Sequence, residues 1–177
     1  MNALIQPKTI ALNFKKVETD TDIKTLVGLA STIWPVCFKD IVTRAQIDYM
    51  LAKMYAPETI RRETAAGTAF FFVELAGENI GYLSYDLRPN SEGVVVLQKI
   101  YLLPEYWSQG IGNQLIAHVF KEASTAGATA VELNVNKANS RALKAYSRAG
   151  FVVKESVRFD IGGGFEKNDY IMRKELI

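Results

Sequence analysis

Two short segments of this 177-residue chain carry residues whose types and spacing can do chemistry. In the first, residues 97–103 read as a strand, Pro104-Glu105-Tyr106-Trp107-Ser108-Gln109 as a loop, and Gly110-Ile111-Gly112-Asn113 as the opening of a helix. The first turn of a helix has backbone N–H groups with no partner inside the helix. The aligned peptide dipoles add partial positive charge there, and glycines remove the side chains that would hold a phosphate away. The segment is a competent pyrophosphate cradle, although Gly110 and Gly112 taken alone also suit a plain tight turn from strand to helix. Other phosphate motifs are missing. No Gly-Lys-Ser/Thr makes a nucleotide P-loop, and no Gly-x-Gly-x-x-Gly makes a dinucleotide fingerprint.

The second segment is Asn139-Ser140-Arg141-Ala142-Leu143-Lys144-Ala145-Tyr146-Ser147-Arg148-Ala149-Gly150-Phe151. Asn139 and Tyr146 are two helical turns apart and can face one way. Asn139 suits an N-cap. Tyr146 suits a half-buried aromatic whose hydroxyl finds a polar partner, and a phenol with an ordinary pKa of about 10 is a proton donor at neutral pH.

Other reactive side chains read more plainly. His118 lies inside the helix after the loop, near the edge of its apolar stripe, as a structural or surface residue. Cys37, in Trp34-Pro35-Val36-Cys37-Phe38, reads as a small buried hydrophobe rather than a nucleophile. Gly162-Gly163-Gly164 joins two strands and opens no helix, so it reads as a flexible hairpin loop, with Asp160, Glu166 and Asp169 at a solvated hairpin end.

The elements that must position these groups follow from periodicity. Ile10, Leu12 and Phe14 alternate as in a strand, and Ile23, Leu26, Val27, Ala30 and Ile33 recur at helical spacing behind a cap at Thr21 or Asp22. Pro35 is expected to end or kink that helix. Thr43 caps a second helix, and Pro57 opens a short third one. Residues 70–75 and 80–87 read as strands around a Gly77-Glu78-Asn79 turn, and residues 94–103 as the longest β-branched stretch. A helix follows at about 110–126, with Gly127 closing it. Then come a strand at 129–135, a helix from Asn139 to Gly150, and two closing strands at 151–159 and 166–172. This order predicts an α/β (α+β) fold: a mixed central sheet of six to seven strands flanked by helices, in a single domain spanning 1–177.

Composition narrows the function classes. The chain has 49% hydrophobic and 23% charged residues, ordinary globular values. With 21 basic and 19 acidic residues its net charge is +2, which leaves no electrostatic footprint for nucleic acid or an anionic membrane. The single cysteine fits a reducing cytoplasm. Gln6 and Pro7 stand where a signal peptide needs an apolar run, and no stretch approaches the roughly 18–20 apolar residues of a membrane span. A soluble cytoplasmic protein is expected.

Taken together, the two segments resemble the GNAT superfamily of N-acetyltransferases. That family carries Gln/Arg-x-x-Gly-x-Gly/Ala after a strand ending near a proline, then Asn-x-x-Ala-x-x-x-Tyr-x-x-x-Gly-Phe. Asn139, Ala142, Tyr146, Gly150 and Phe151 match the second pattern without a gap. Gly110 and Gly112 match the first, while Trp107 occupies its Gln/Arg position. The resemblance implies acetyl-CoA as acyl donor, no metal, and the GNAT fold. It implies that the loop of Gln109, Gly110, Ile111, Gly112 and Asn113 holds the CoA pyrophosphate through main-chain N–H groups. It further implies that Ile100, Tyr101 and Leu102 pair with the pantetheine arm like an added strand, with a backbone N–H there polarising the thioester carbonyl. Asn139 would hydrogen-bond the cofactor, and Tyr146 would protonate the leaving thiolate as general acid. A homodimer is the family's common state.

The glutamate that many members place on the central strand as a base is absent from Val94-Val95-Val96-Leu97-Gln98-Lys99, and neither Glu92 nor Glu105 is placed to replace it. The base stays open. A finer similarity, to the polyamine and small-amine branch, is carried by residues 34–55 and 160–170 and names no acceptor. The expected activity is transfer of an acetyl group to a primary amine of a small molecule. The alternatives are a non-catalytic acyl-CoA-binding sensor on the same fold, a protein or peptide N-acetyltransferase, and transfer of another acyl group such as succinyl.

Overall fold

The computed structural model describes residues 10–176. In chain order these form β1 (Asn13–Lys16), α1 (Asp20–Phe38), α2 (Arg44–Met54), α3 (Pro57–Ala65), β2 (Thr68–Leu75), β3 (Glu78–Asp86), β4 (Val94–Leu102), α4 (Ile111–Thr125), β5 (Ala130–Asn136), α5 (Ser140–Arg148), β6 (Val152–Gly162) and β7 (Phe165–Glu175). A single 3-10 turn, Pro104–Tyr106, stands between β4 and α4. The strands make one sheet in the order β1-β2-β3-β4-β5-β7-β6. Only β4 and β5 are parallel neighbours; every other pair is antiparallel. This is the mixed sheet flanked by helices that the element order predicted.

Each face of the sheet carries its own core. On one face, α4 lays Ile111, Leu115, Ile116, Val119 and Ala123 against Val95, Leu97, Val131 and Leu133, and α5 adds Ala142, Leu143 and Tyr146 at the edge. On the other, α1, α2 and α3 pack Leu26, Ile33, Trp34, Ile47 and Ile60 against Phe70, Phe72 and Tyr82. Alternation of side chains along the strands sends successive residues to the two layers.

Several boundaries differ from expectation. Helix α1 begins at Asp20, capped by Thr19 in a reciprocal capping box with Asp22, two to three residues before the cap expected at Thr21 or Asp22. Pro35 does not end it; the helix continues to Phe38. Pro35 forfeits one hydrogen bond, but Ile33 and Trp34 before it are buried, and Cys37 and Phe38 after it pack on the same core. The Trp34 indole also donates to the hydroxyls of Tyr55 and Tyr82, at 3.1 and 3.0 Å, which ties the helix to α2 and β3. Burial on both sides holds the turn together.

In β1 only Phe14 of the three alternating residues lies in the strand, while Ile10 and Leu12 pack on the core ahead of it. The first hairpin turns at Ala76-Gly77, both at positive φ (52° and 85°), and β3 already begins at Glu78. Paired positive φ values make the twist of the turn match that of the strands.

The Gly162-Gly163-Gly164 segment is not a flexible loop. Strand β6 runs to Gly162, β7 starts at Phe165, and Gly163-Gly164 is a two-residue turn with φ of 65° and 78°. A Cβ on Gly162 would come within 2.6 Å of the Tyr49 hydroxyl, and one on Gly163 within 2.8 Å of the Tyr49 ring. The glycines are where α2 docks: Tyr49 donates to the Ile161 carbonyl at 2.7 Å, and Gln46 donates to the Glu166 carbonyl at 2.7 Å.

Candidate active site

The site grows from a defect in strand pairing. Tyr82, Leu83 and Ser84 of β3 face Tyr101, Ile100 and Lys99, but Tyr85 faces Leu97, so Gln98 bulges out of β4. On its other side β4 pairs with β5 only as far as Leu97 opposite Leu133. Beyond that point the two parallel strands part, and the edge of β4 from Gln98 to Leu102 faces open space instead of a ladder partner.

A cavity of about 500 Å³ fills that opening. Ile100, Tyr101 and Leu102 form its floor, Gly110, Gly112 and Asn113 one end, and Ala142 and Tyr146 of α5 its roof. Helix α4 opens on Gly110 in the left-handed conformation (φ 80°) with no side chain capping it, so its first-turn N–H groups remain free. A Cβ on either Gly110 or Gly112 would meet no protein atom within 4 Å. The volume next to these amides is therefore empty of protein, as a pyrophosphate cradle needs. The floor, helix terminus and roof together fit a phosphate-tipped, extended acyl carrier.

The expected site residues divide in three. Ile100, Tyr101, Leu102, Gly110, Gly112, Asn113 and Tyr146 line this cavity together. Ile111 supplies an amide of the first turn while its side chain is fully buried. Gln109 turns its side chain back onto the Glu105 carbonyl, at 2.7 Å, and Asn139 uses its Oδ1 to cap α5, accepting from Ala142 N–H at 3.1 Å. Asn139 lines a second, adjoining cavity.

Trp107 has a role that the loop pattern does not convey. Its indole donates to the Leu102 carbonyl at 2.9 Å, and the Arg141 guanidinium stacks on its ring at 3.3 Å. Trp107 thus holds a cation from α5 in the wall of the larger cavity.

The second cavity, about 250 Å³, opens on the α1 and α2 side. Aromatic walls come from Trp34, Phe38, Tyr101 and Tyr146. Cys37, Ile100, Tyr101, Arg141, Ala142 and Tyr146 border both cavities and mark where they meet. Burial pushes the Tyr146 phenol well above its ordinary range, with Arg141 pulling partly the other way, so it stays protonated. Burial likewise raises the Cys37 thiol, against a smaller opposing pull from Arg141. A neutral thiol is a poor nucleophile. His118 borders neither cavity; its ring stacks on Phe14 at 3.8 Å, and burial lowers its pKa.

Two ion pairs of this cleft escape sequence reasoning. Lys99 is 4% exposed, and its Nζ meets Glu63 Oε2 at 2.9 Å below the rings of Phe70 and Tyr55. Asp169, expected at a solvated hairpin end, is 2% exposed instead. Its Oδ2 pairs with Lys167 at 3.2 Å, while Oδ1 is buried with no hydrogen-bond partner. It lies beside Asn136 of β5, on the face that α1 and α2 cover. Glu63→Gln leaves the Lys99 ammonium buried without its counter-charge. The expected loss is about 3 kcal/mol of unfolding free energy, read as a lowered urea midpoint at unchanged m-value.

Comparison with known proteins agrees with this geometry. The family model described as the acetyltransferase (GNAT) family matches residues 28–151. The chain belongs to the GNAT family. Membership makes it an acyltransferase, and the seven-stranded mixed sheet flanked by helices is the fold of that family. An uncharacterized N-acetyltransferase of Mycobacterium tuberculosis is 30% identical over 158 residues, covering 89% of this chain and 99% of the relative. A spermidine N(1)-acetyltransferase of Thermoplasma acidophilum is 22% identical over 171 residues, covering 94% and 98%. Among solved structures, the PaiA N-acetyltransferase of Thermoplasma acidophilum, in complex with coenzyme A, superposes with a TM-score of 0.74 at 22% identity, covering 94% of this chain and 99% of that one. No described helix is long and apolar enough to cross a membrane, and no described group of three or more His, Cys, Asp or Glu could hold a metal ion.

Proposed function

We propose that this GNAT enzyme moves an acetyl group from acetyl-CoA to the primary amine of a small molecule, by direct attack on the thioester with Tyr146 as general acid. The observation that carries the reading is the position of Tyr146 at the junction of the two cavities. One cavity has the phosphate-binding helix end and the free strand edge, and the other has the aromatic walls that suit an alkylammonium.

In this reading the first-turn amides of Ile111, Gly112 and Asn113 hold the pyrophosphate, with the guanidinium of Arg141 beside them. The free edge of β4 at Ile100, Tyr101 and Leu102 aligns the pantetheine arm and turns an N–H toward the thioester carbonyl. The amine nitrogen bonds to the carbonyl carbon as the carbon–sulfur bond breaks, and the Tyr146 hydroxyl gives its proton to the departing sulfur. The tyrosinate then regains a proton from the new amide nitrogen. The raised phenol pKa keeps this acid charged with its proton throughout the neutral range.

The size of the second cavity supports a small acceptor over a peptide. Gln46, Met50 and Met54 of α2 line one side of it, and its volume of about 250 Å³ suits a compact amine. Similarity to the spermidine N(1)-acetyltransferase of Thermoplasma acidophilum supports an amine of that general kind. The free thiol of Cys37 fits a cytoplasmic setting.

The test compares thermal stability and heat of binding for acetyl-CoA, CoA, ATP and NAD, followed by thiol release from acetyl-CoA with a panel of primary amines. At a hundredfold excess over its dissociation constant, acetyl-CoA is expected to stabilise the fold by about 2.7 kcal/mol, while ATP and NAD do not. Absence of any response to acetyl-CoA and CoA would refute the assignment of the α4 cradle. Binding without turnover on any amine would favour the sensor.

A further inference from the structure

The central strand offers no carboxylate to deprotonate the acceptor, and yet one buried carboxylate faces the cleft. We propose that Asp169 on β7 receives the acceptor's ammonium group and removes its proton. The inference rests on the reading of the chain as an amine acetyltransferase.

Asp169 is 2% exposed, and buried carboxylates normally satisfy both oxygens. Oδ2 is satisfied by Lys167, whereas Oδ1 has no partner in the protein. The residue lies in the wall of the 250 Å³ cavity that also contains Tyr101 and Tyr146. An unfilled acceptor atom in such a place calls for a donor from outside the chain, and a primary ammonium supplies up to three N–H bonds. The only other carboxylate lining this cavity, Glu63, is held by Lys99. Asp169 is therefore the one carboxylate in the described cavity wall whose spare oxygen is buried away from solvent.

The surrounding charges suit the role. Lys167 on the same strand, Lys99 from β4 and Arg141 from α5 are cationic; Glu63 from α3 answers Lys99; Tyr101, Tyr146 and Cys37 are neutral with their pKa values raised chiefly by burial. The Lys167 ammonium holds Oδ2 and leaves Oδ1 for the acceptor. One proton passes from the ammonium to Oδ1 and on to solvent. The amine lone pair then attacks the thioester carbon, the carbon–sulfur electron pair leaves with sulfur, and Tyr146 exchanges one proton between sulfur and nitrogen. The balance is one ammonium and one thioester in, and one amide, one thiol and one released proton out.

The full chain is assayed by thiol release with acetyl-CoA and the best amine of the panel, from about pH 6 to 10. Asp169→Asn is expected to bind acetyl-CoA as the parent does and to lower kcat/KM for the amine about 100-fold or more. Lys167→Met removes the same ion pair but keeps the carboxylate. It is expected to keep kcat/KM within about tenfold of the parent, because the carboxylate that meets the acceptor is still present. The proposal is overturned if Asp169→Asn keeps the parent kcat/KM, or if the two variants lose activity alike and share one pH profile, which marks a purely structural ion pair. If Asp169→Asn does not fold, a loss of about 100-fold or more in Lys167→Met, which keeps the carboxylate, overturns it alone. A parent enzyme that acetylates no amine overturns the functional assignment and this inference together, whereas amine turnover with an indifferent Asp169→Asn overturns only the inference.

Discussion

Tyr146→Phe is expected to lower kcat by about 100- to 1,000-fold, the contribution of a positioned general acid, while leaving the affinity for acetyl-CoA unchanged. The separation follows from placement. Tyr146 borders both cavities, whereas the α4 amides proposed to hold the phosphates lie at one end of the larger one. The ring itself packs against Phe151, with centroids 5.7 Å apart, and phenylalanine keeps that contact. Stability should therefore change little. The pH profile supplies a second readout. Because the folded phenol titrates above its ordinary range, it remains a proton donor as pH rises, and it should impose no alkaline fall in kcat below about pH 10. Steady-state thiol release across pH, with calorimetric titration of acetyl-CoA into parent and variant, checks all three statements. Equal losses in kcat and in acetyl-CoA affinity would point to a binding role instead.

The second large effect is expected at Gly112. Gly112→Leu should weaken acetyl-CoA binding about 100-fold or more, since a branched side chain occupies the volume beside the first-turn amides that a phosphate must enter. The apo protein should not suffer. A Cβ at this position meets nothing within 4 Å, and Gly112 does not adopt a positive φ. Leucine is also the better helix former, by up to about 0.8 kcal/mol in a helix interior. The expected signature is thus opposed: an unchanged or raised unfolding temperature without ligand, and a lost thermal shift with it. Gly110 offers no such clean separation, because its φ of 80° strains any other residue whatever the ligand does. A Gly112→Leu protein with parent-like acetyl-CoA affinity would show that the α4 terminus does not carry the phosphates.

Much of the fold was legible because its signals are local. The turn at Gly110, the Thr43 cap, the Pro57 helix start and the Asn139 cap each depend on residues within one turn of each other, and the structure places all four as expected. The boundaries that moved did so where packing outweighed a local rule. Pro35 signals a helix end by itself, but the burial of Ile33 and Trp34 carries α1 past it to Phe38. The triple glycine signals flexibility by itself, but Tyr49, more than a hundred residues earlier, fills the space that side chains on Gly162 and Gly163 would need.

For the site the division is the same. The sequence by itself determined the glycine-opened start of α4, the cap at Asn139 and the helical spacing between Asn139 and Tyr146, since these are properties of one helix end and one helix face. Only the tertiary structure decided where β4 parts from β5, that Arg141 stacks on Trp107, and that Asp169 is buried with an oxygen unpaired. Each of these depends on groups brought together from distant parts of the chain. Strand register sets which face a residue meets, and nothing in the spacing around Asp169 marks it as different from its exposed neighbours Asp160 and Glu166.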